Sequence, residues 1–214
     1  MGKHIYICDG EGYLNDEGNY VTIHWDCDCD SPRSWDGNLG TFLTWMFHHV
    51  SPDDNPFDGF DDLGAEYGIR CDDDPNEFVA KFNAKVGVCI PVFAIDHSGV
   101  AYRAAWANPF HDPWDSGFVG VVFATKERIR ETFQVKRVTQ KVRNRVIDDF
   151  IAEVDEYSAW AEGSCYGFVV HDKDDNEVDS CWGFIGSDAY MSGLAEQCNG
   201  LNDTSMSLDE WLAA

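Results

Sequence analysis

The stretch Val88-Cys89-Ile90-Pro91-Val92-Phe93-Ala94-Ile95, then Asp96-His97-Ser98-Gly99, then Val100-Ala101-Tyr102-Arg103-Ala104-Ala105-Trp106 decides the fold. Two apolar runs flank four turn-forming residues, which is the pattern of an antiparallel hairpin. Gly117 to Ala124 is a further apolar run and reads as another buried strand. Upstream, from Pro75, Phe78, Val79, Phe82 and Val86 return with helical spacing. Downstream, Thr125 can cap a short helix from Lys126 to Phe133. Thr139 can cap a longer one, whose stripe is Val142, Val146, Phe150, Val154 and Tyr157.

Further out, His4 to Cys8 reads as a first strand ended by the turn Asp9-Gly10-Glu11-Gly12, and Tyr20 to Trp25 as a second. Thr41 to Phe47 is apolar nearly all round, a buried helix or strand. Residues 51–75 are rich in Asp, Gly, Pro and Asn and are the most loop-like part of the chain. Cys165 to His171 and Glu177 to Phe184 make a hairpin over Asp174-Asp175-Asn176, and Ser207 with Glu210 forms a capping box for a last helix. Strands in runs, with helices between and after them, predict an α+β fold with a mainly antiparallel sheet and packed helices. The expected organisation is a single compact domain over 1–214, with a loop-rich acidic insert near 51–75 and an acidic helical tail near 189–214.

The 214 residues are 44% hydrophobic and 14% aromatic, enough to bury a core. No apolar run approaches 18 residues, which excludes a membrane-spanning helix. The opening Met1-Gly2-Lys3-His4-Ile5 lacks an apolar signal segment, so a cytoplasmic location is expected. The eight cysteines are then read as reduced thiols, several of them small apolar residues in strands, as in Val88-Cys89-Ile90.

Charge is the most informative feature. The net charge is −24, and it is unevenly spread. Residues 1–80 carry 18 acids and 3 bases, and residues 146–214 carry 16 acids and 1 base. Between them, 81–145 hold 5 acids and 11 bases, eight of the bases falling from Lys126 to Arg145. Such a surface can serve solubility, adaptation to high salt, or recognition of a basic partner. The 27 Asp against 12 Glu suit high salt, but eight Cys and eight Trp do not. A folded surface with carboxylates in rows can occupy a groove built for phosphates, while direct binding to nucleic acid is disfavoured. The candidate partner-binding carboxylates are Asp53, Asp54, Asp58, Asp61, Asp62, Asp72, Asp73 and Asp74. Asp172, Asp174, Asp175 and Glu177 make a second patch. Among the bases, Lys126, Arg128 and Arg130 share one helix, and Lys141 and Arg145 lie four apart on the next. Pairing with the acidic flanks, phosphate binding and a solvated face are the three readings open to them.

No motif carries a specific catalytic reading. Asp26-Cys27-Asp28-Cys29-Asp30 has the composition of a metal cluster, but its C-x-C spacing has no second pair, and a turn beside a strand explains it. The Asp runs at 58–62 and 72–74 lack the Gly and Glu positions of a calcium loop. No metal and no cofactor are expected. A possible ligand loop pairs Asp96, His97 and Ser98 with His111, Asp112, Trp114, Asp115 and Ser116, with Asp179 to Trp182 close by if the strands pair to allow it. Turn chemistry accounts for the same residues, because Asp and Ser bond locally to the backbone. There is no phosphate-binding glycine loop, no nucleophile elbow and no H-E-x-x-H.

Several strings together carry a resemblance. They are Ser31-Pro32-Arg33 with Asp36 and Asn38-Leu39-Gly40-Thr41, Asp96-His97-Ser98-Gly99, and Trp114-Asp115-Ser116-Gly117 with Val119-Gly120. The last are Tyr166-Gly167-Phe168-Val169-Val170 and Asp179-Ser180-Cys181-Trp182-Gly183-Phe184. This set, spanning residues 31–184, resembles a family of small acidic proteins carried by bacteriophages, prophages and plasmids. The resemblance implies a setting, an accessory gene of a mobile element in the cytoplasm of a host cell, and no activity. Small acidic proteins in that setting often blunt host defence, some by imitating DNA, and that step is analogy. The expectation is a non-enzymatic inhibitor of a host defence or nucleic-acid-binding protein, acting through a DNA-like negative surface. The alternatives are a small-ligand protein or enzyme using the loops at 96–98 and 111–116, and a regulatory protein–protein interaction module.

Overall fold

A computed structural model describes residues 2–45, 50–97 and 99–213. The chain opens with β1 (Gly12–Leu14) and β2 (Tyr20–Trp25), then passes through a short 3-10 turn at Pro32–Ser34. β3 (Thr41–Thr44), α1 (Phe60–Glu66) and α2 (Pro75–Lys85) follow. Three strands, β4 (Gly87–Asp96), β5 (Val100–Ala104) and β6 (Ser116–Thr125), lead into α3 (Lys126–Phe133) and α4 (Gln140–Ala161). The hairpin β7 (Cys165–His171) and β8 (Glu177–Ile185) precedes two short helices, α5 (Leu194–Gln197) and α6 (Leu208–Leu212). The fold is α+β, and every strand pair in its two sheets is antiparallel.

Contacts divide the chain into two compact units, residues 32–158 and the flanking segments 1–31 with 159–214. In the flanking unit the sheet order is β1-β2-β7-β8. β2 alternates, so Val21 and Ile23 enter a core with Phe168 and Val170 of β7, while Thr22 and His24 lie on the other face. The register Tyr20↔His171 to Trp25↔Tyr166 joins chain segments far apart in sequence. Ile5, Ile7, Ala189, Leu194 and Leu201 close this core.

In the inserted unit the order is β3-β6-β4-β5. β4 and β6 are central, which is why their sequences read as nearly continuous apolar runs. One face buries Leu43, Cys89, Val121 and Phe123 with Phe60 and Leu63 of α1 and Phe78 and Phe82 of α2. On the other, Phe42 meets Tyr157 of α4 edge-on at 5.5 Å, and Tyr102 lies 5.4 Å from Tyr157. The buried Ser158 hydroxyl accepts a bond from Tyr102 N at 2.8 Å, tying α4 to β5.

Some local expectations are corrected. His4 to Cys8 forms no strand, only a bridge between Tyr6 and Asp188, and the first strand begins where a turn was expected, at Gly12. Seven residues of the loop-like segment 51–75 form α1, and its last, Pro75, opens α2. Of Thr41 to Phe47, the part beyond Trp45 lies outside the described residues. Among the described residues no helix is long and apolar enough to cross a membrane.

Candidate partner-binding surface

The acidic segment of the inserted unit is held by its own carboxylates. Asp73 Oδ1 accepts from Asp61 N at 2.9 Å, satisfying a donor of the first turn of α1 that its Gly59 cap has no side chain to reach. A Cβ on Gly59 would lie 2.7 Å from that same oxygen, so a larger residue there must shift the Asp73 side chain. In return Asp61 Oδ1 accepts from Cys71 N at 3.2 Å. Asp74 caps α2, accepting from Asn76 N at 2.8 Å and Glu77 N at 3.4 Å, with Pro75 at the first helical position. Asp62 Oδ2 accepts from Asp58 N at 3.3 Å. Asp72 and Asp73 adopt left-handed φ values of 47° and 56°, a region that Asp tolerates better than most residues.

These bonds fix the carboxylates of Asp61, Asp62, Asp73 and Asp74 without burying them. Asp54, Asp58, Asp61, Asp62, Asp72, Asp73 and Asp74 are all exposed. Asp61 is held below the ordinary carboxylate value, chiefly by the Cys71 amide, and so stays charged. Arg70 pairs with Asp72 at 3.1 Å, but both side chains are open to water and the pair is weak.

Asp53 does not belong to this surface. Its carboxylate takes both Nε and Nη2 of Arg33, at 2.9 and 2.7 Å, and also accepts from Phe42 N at 2.7 Å. The Arg33 side chain is only 4% exposed; Nη1 reaches Glu153 at 3.0 Å and Asn38 at 2.9 Å, and Nη2 the Gly40 carbonyl at 2.6 Å. Glu153 in turn accepts from Leu39 N at 2.6 Å. Within the string Ser31-Pro32-Arg33 with Asn38-Leu39-Gly40-Thr41, Arg33, Asn38, Leu39 and Gly40 therefore form a largely buried polar latch with Asp53 and Glu153. Its signal in the sequence was an isolated arginine in a long acidic stretch.

The second patch lies in the flanking unit, on the turn of the β7–β8 hairpin. Asp172 Oδ1 accepts from Asp174 N at 2.9 Å and Asn176 N at 3.0 Å, and Asp175 takes a φ of 60°. The Asn176 bonds hold Asp172 below the usual carboxylate range. Asp174, Asp175 and Glu177 are exposed, and Asp172 is half-buried.

The bases of 126–145 engage the backbone more than the acids. Lys126 Nζ donates to Lys85 O, Arg128 to Asn38 O at 3.1 Å, and Arg143 to Asn83 O and Gly87 O at 2.7 and 2.9 Å. Arg130 pairs within its own helix with Glu127, and Arg145 lies over the Phe133 ring at 5.0 Å.

The two proposed ligand loops do meet. Asp96 N donates to Asp115 O at 2.9 Å, and His97 Nδ1 sits 2.9 Å from Asp115 Oδ2. The pair is open to water, with the His97 side chain 73% exposed. Asp112 Oδ1 accepts from Trp114 N at 2.9 Å and Asp115 N at 3.1 Å, and the Ser116 hydroxyl donates to Asp112 O, so both residues build the turn. His111 is exposed and Trp114 is 92% exposed, while Ser98 lies outside the described residues. Asp179 to Trp182 belong to β8 in the other sheet, so no strand pairing joins them to these loops. The clefts of 490 and 430 Å³ are lined by other residues. Among the described residues no group of three or more His, Cys, Asp or Glu side chains is arranged to hold a metal ion.

No protein-family model matches the chain, and comparison with curated proteins and with solved structures finds no match.

Proposed function

We propose that this protein is a non-enzymatic inhibitor that presents fixed carboxylates to the basic groove of a nucleic-acid-binding protein, a defence protein of the host in the mobile-element setting implied by the resemblance. The observation that carries this reading is the pinning of the exposed Asp61, Asp73 and Asp74 carboxylates, within the acidic segment 58–74, by backbone amides. Phosphates in a duplex are fixed charges, and a groove that binds them is built for charges that do not move. Carboxylates already ordered in the free protein avoid the entropy that long flexible acids would lose on docking. Long-range attraction brings the basic groove in, and the docked surface blocks it against DNA.

The test is competition: a defence nuclease with a basic DNA groove is assayed on duplex DNA with increasing amounts of this protein. Competitive inhibition is expected, and the triple variant Asp58→Asn, Asp62→Asn, Asp72→Asn weakens it about tenfold or more while the protein stays folded. Equal inhibition by variant and parent contradicts the reading. A ligand-binding reading of the loops at 96–97 and 111–116 rests on the His97–Asp115 contact alone. It requires His97→Ala to abolish a ligand-induced shift that the triple variant retains.

A further inference from the structure

We infer that Cys29 and Cys165 form a dithiol site that a small disulfide oxidant converts reversibly to an intrachain disulfide. Cys165 is the first residue of β7, and its carbonyl accepts from Asp26 N at 2.9 Å where β2 ends. The chain then turns, Asp28 N bonding to Asp26 Oδ1 at 3.1 Å, which brings Cys29 back over the start of β7. Trp160 Nε1 donates to Cys29 O at 3.0 Å and fixes that backbone. Cys29 Sγ donates to Asp30 O at 3.6 Å, and the Cys165 thiol is its neighbour, near enough for each to shift the other's ionisation. Both line a cleft of 430 Å³ with Trp25, Cys27 and Trp160, through which a small reagent reaches the half-buried Cys29. Cys29 is half-buried, Cys165 buried, and the remaining buried thiols Cys71, Cys89 and Cys198 line no part of this cleft.

The chemistry has an order. Burial raises both thiols, Cys165 to about 12, and their mutual influence favours ionisation of Cys29 over Cys165. Asp26 and Asp30 oppose ionisation of Cys29, so exchange is slow at neutral pH. The Cys29 thiolate attacks one sulfur of the oxidant, breaking its S–S bond and expelling one thiolate. Cys165 then gives up its proton and attacks the Cys29 sulfur, expelling the second thiolate. The two protons of the dithiol end on the two leaving thiols; the protein is oxidised and the oxidant reduced. The bond closes a clasp within the flanking unit beside the two points, near residues 31 and 159, where the chain leaves it and returns.

The full chain is incubated with oxidised glutathione, quenched in acid, alkylated after unfolding and peptide-mapped with and without dithiothreitol. The expected product is one reductant-sensitive crosslink between the peptides holding Cys29 and Cys165, lighter by two hydrogens and resistant to alkylation at both. It persists in Cys27→Ser and is lost in Cys29→Ser, a half-buried site whose variant keeps the parent circular dichroism. Glutathione adducts confined to Cys8 and Cys27, with Cys29 and Cys165 still alkylated after unfolding, overturn the inference. So does a crosslink from Cys27 to either of them.

Discussion

Arg33 shows what a single side chain does in a chain so short of cations. Its guanidinium holds Asp53, Glu153, Asn38 and the Gly40 carbonyl at once, and each carboxylate in turn caps backbone amides of residues 39–42. Arg33→Met leaves two half-buried carboxylates without a counter-charge, and the expected loss is about 3–5 kcal/mol, read from the urea midpoint. Arg33→Lys keeps the charge but not the planar fork, so it recovers part of that loss. Carboxylates held by backbone amides set the response to acid. Asp61, Asp172 and Glu210 are held below their ordinary values by backbone amides. Their contribution is therefore present above the unfolded-state value and is lost as pH falls through the lower folded-state value. Asp155 and Glu156, raised by burial, act in the opposite sense, favouring the fold below the unfolded-state value and losing that contribution as pH rises through the folded one. Urea midpoints are expected to fall below about pH 4, less steeply in Asp61→Asn and Asp172→Asn than in the parent.

At the scale of elements, most helices and hairpins were legible because one local signal sufficed for each. The 78, 79, 82 spacing with Pro75 marks α2, Thr125 does cap α3 by accepting from Arg128 N, and Ser207 with Glu210 does form a capping box. α1 was not legible, because its cap comes from Asp73, twelve residues beyond the amide it binds. β1 was hidden by the glycine at its start, a residue that Tyr20 requires: a Cβ on Gly12 would lie 2.0 Å from the Tyr20 hydroxyl. The candidate surface was legible in composition, but Asp53 looked like its neighbours until the distant Arg33 claimed it. Nor did spacing reveal the meeting of Cys29 with Cys165, which depends on the β2–β7 register. Sheet packing gives its own prediction at Gly120, where a Cβ would lie 2.0 Å from Leu43 O across the β3–β6 pair. Gly120→Ala must push β3 away, and a loss of at least about 2 kcal/mol is expected in the urea midpoint.

For the whole molecule, the net charge of −24 overstates uniformity. Much of the basic middle segment is bound to backbone carbonyls, the buried arginine consumes two acids, and the exposed acids at 58–74 and 172–177 remain as discrete patches, each with carboxylates held by backbone amides. Charge held in place on a folded surface attracts a basic groove over roughly a Debye length, about 10 Å at 0.1 M salt, and salt weakens it accordingly. The direct measurement is the inhibition constant against a basic-groove nuclease as a function of salt. The account predicts a linear rise of log Ki with log salt, tenfold or more between about 50 and about 200 mM, with a shallower slope for the Asp58, Asp62, Asp72 triple variant. Inhibition unchanged across that range, or a variant slope equal to the parent's, would contradict it.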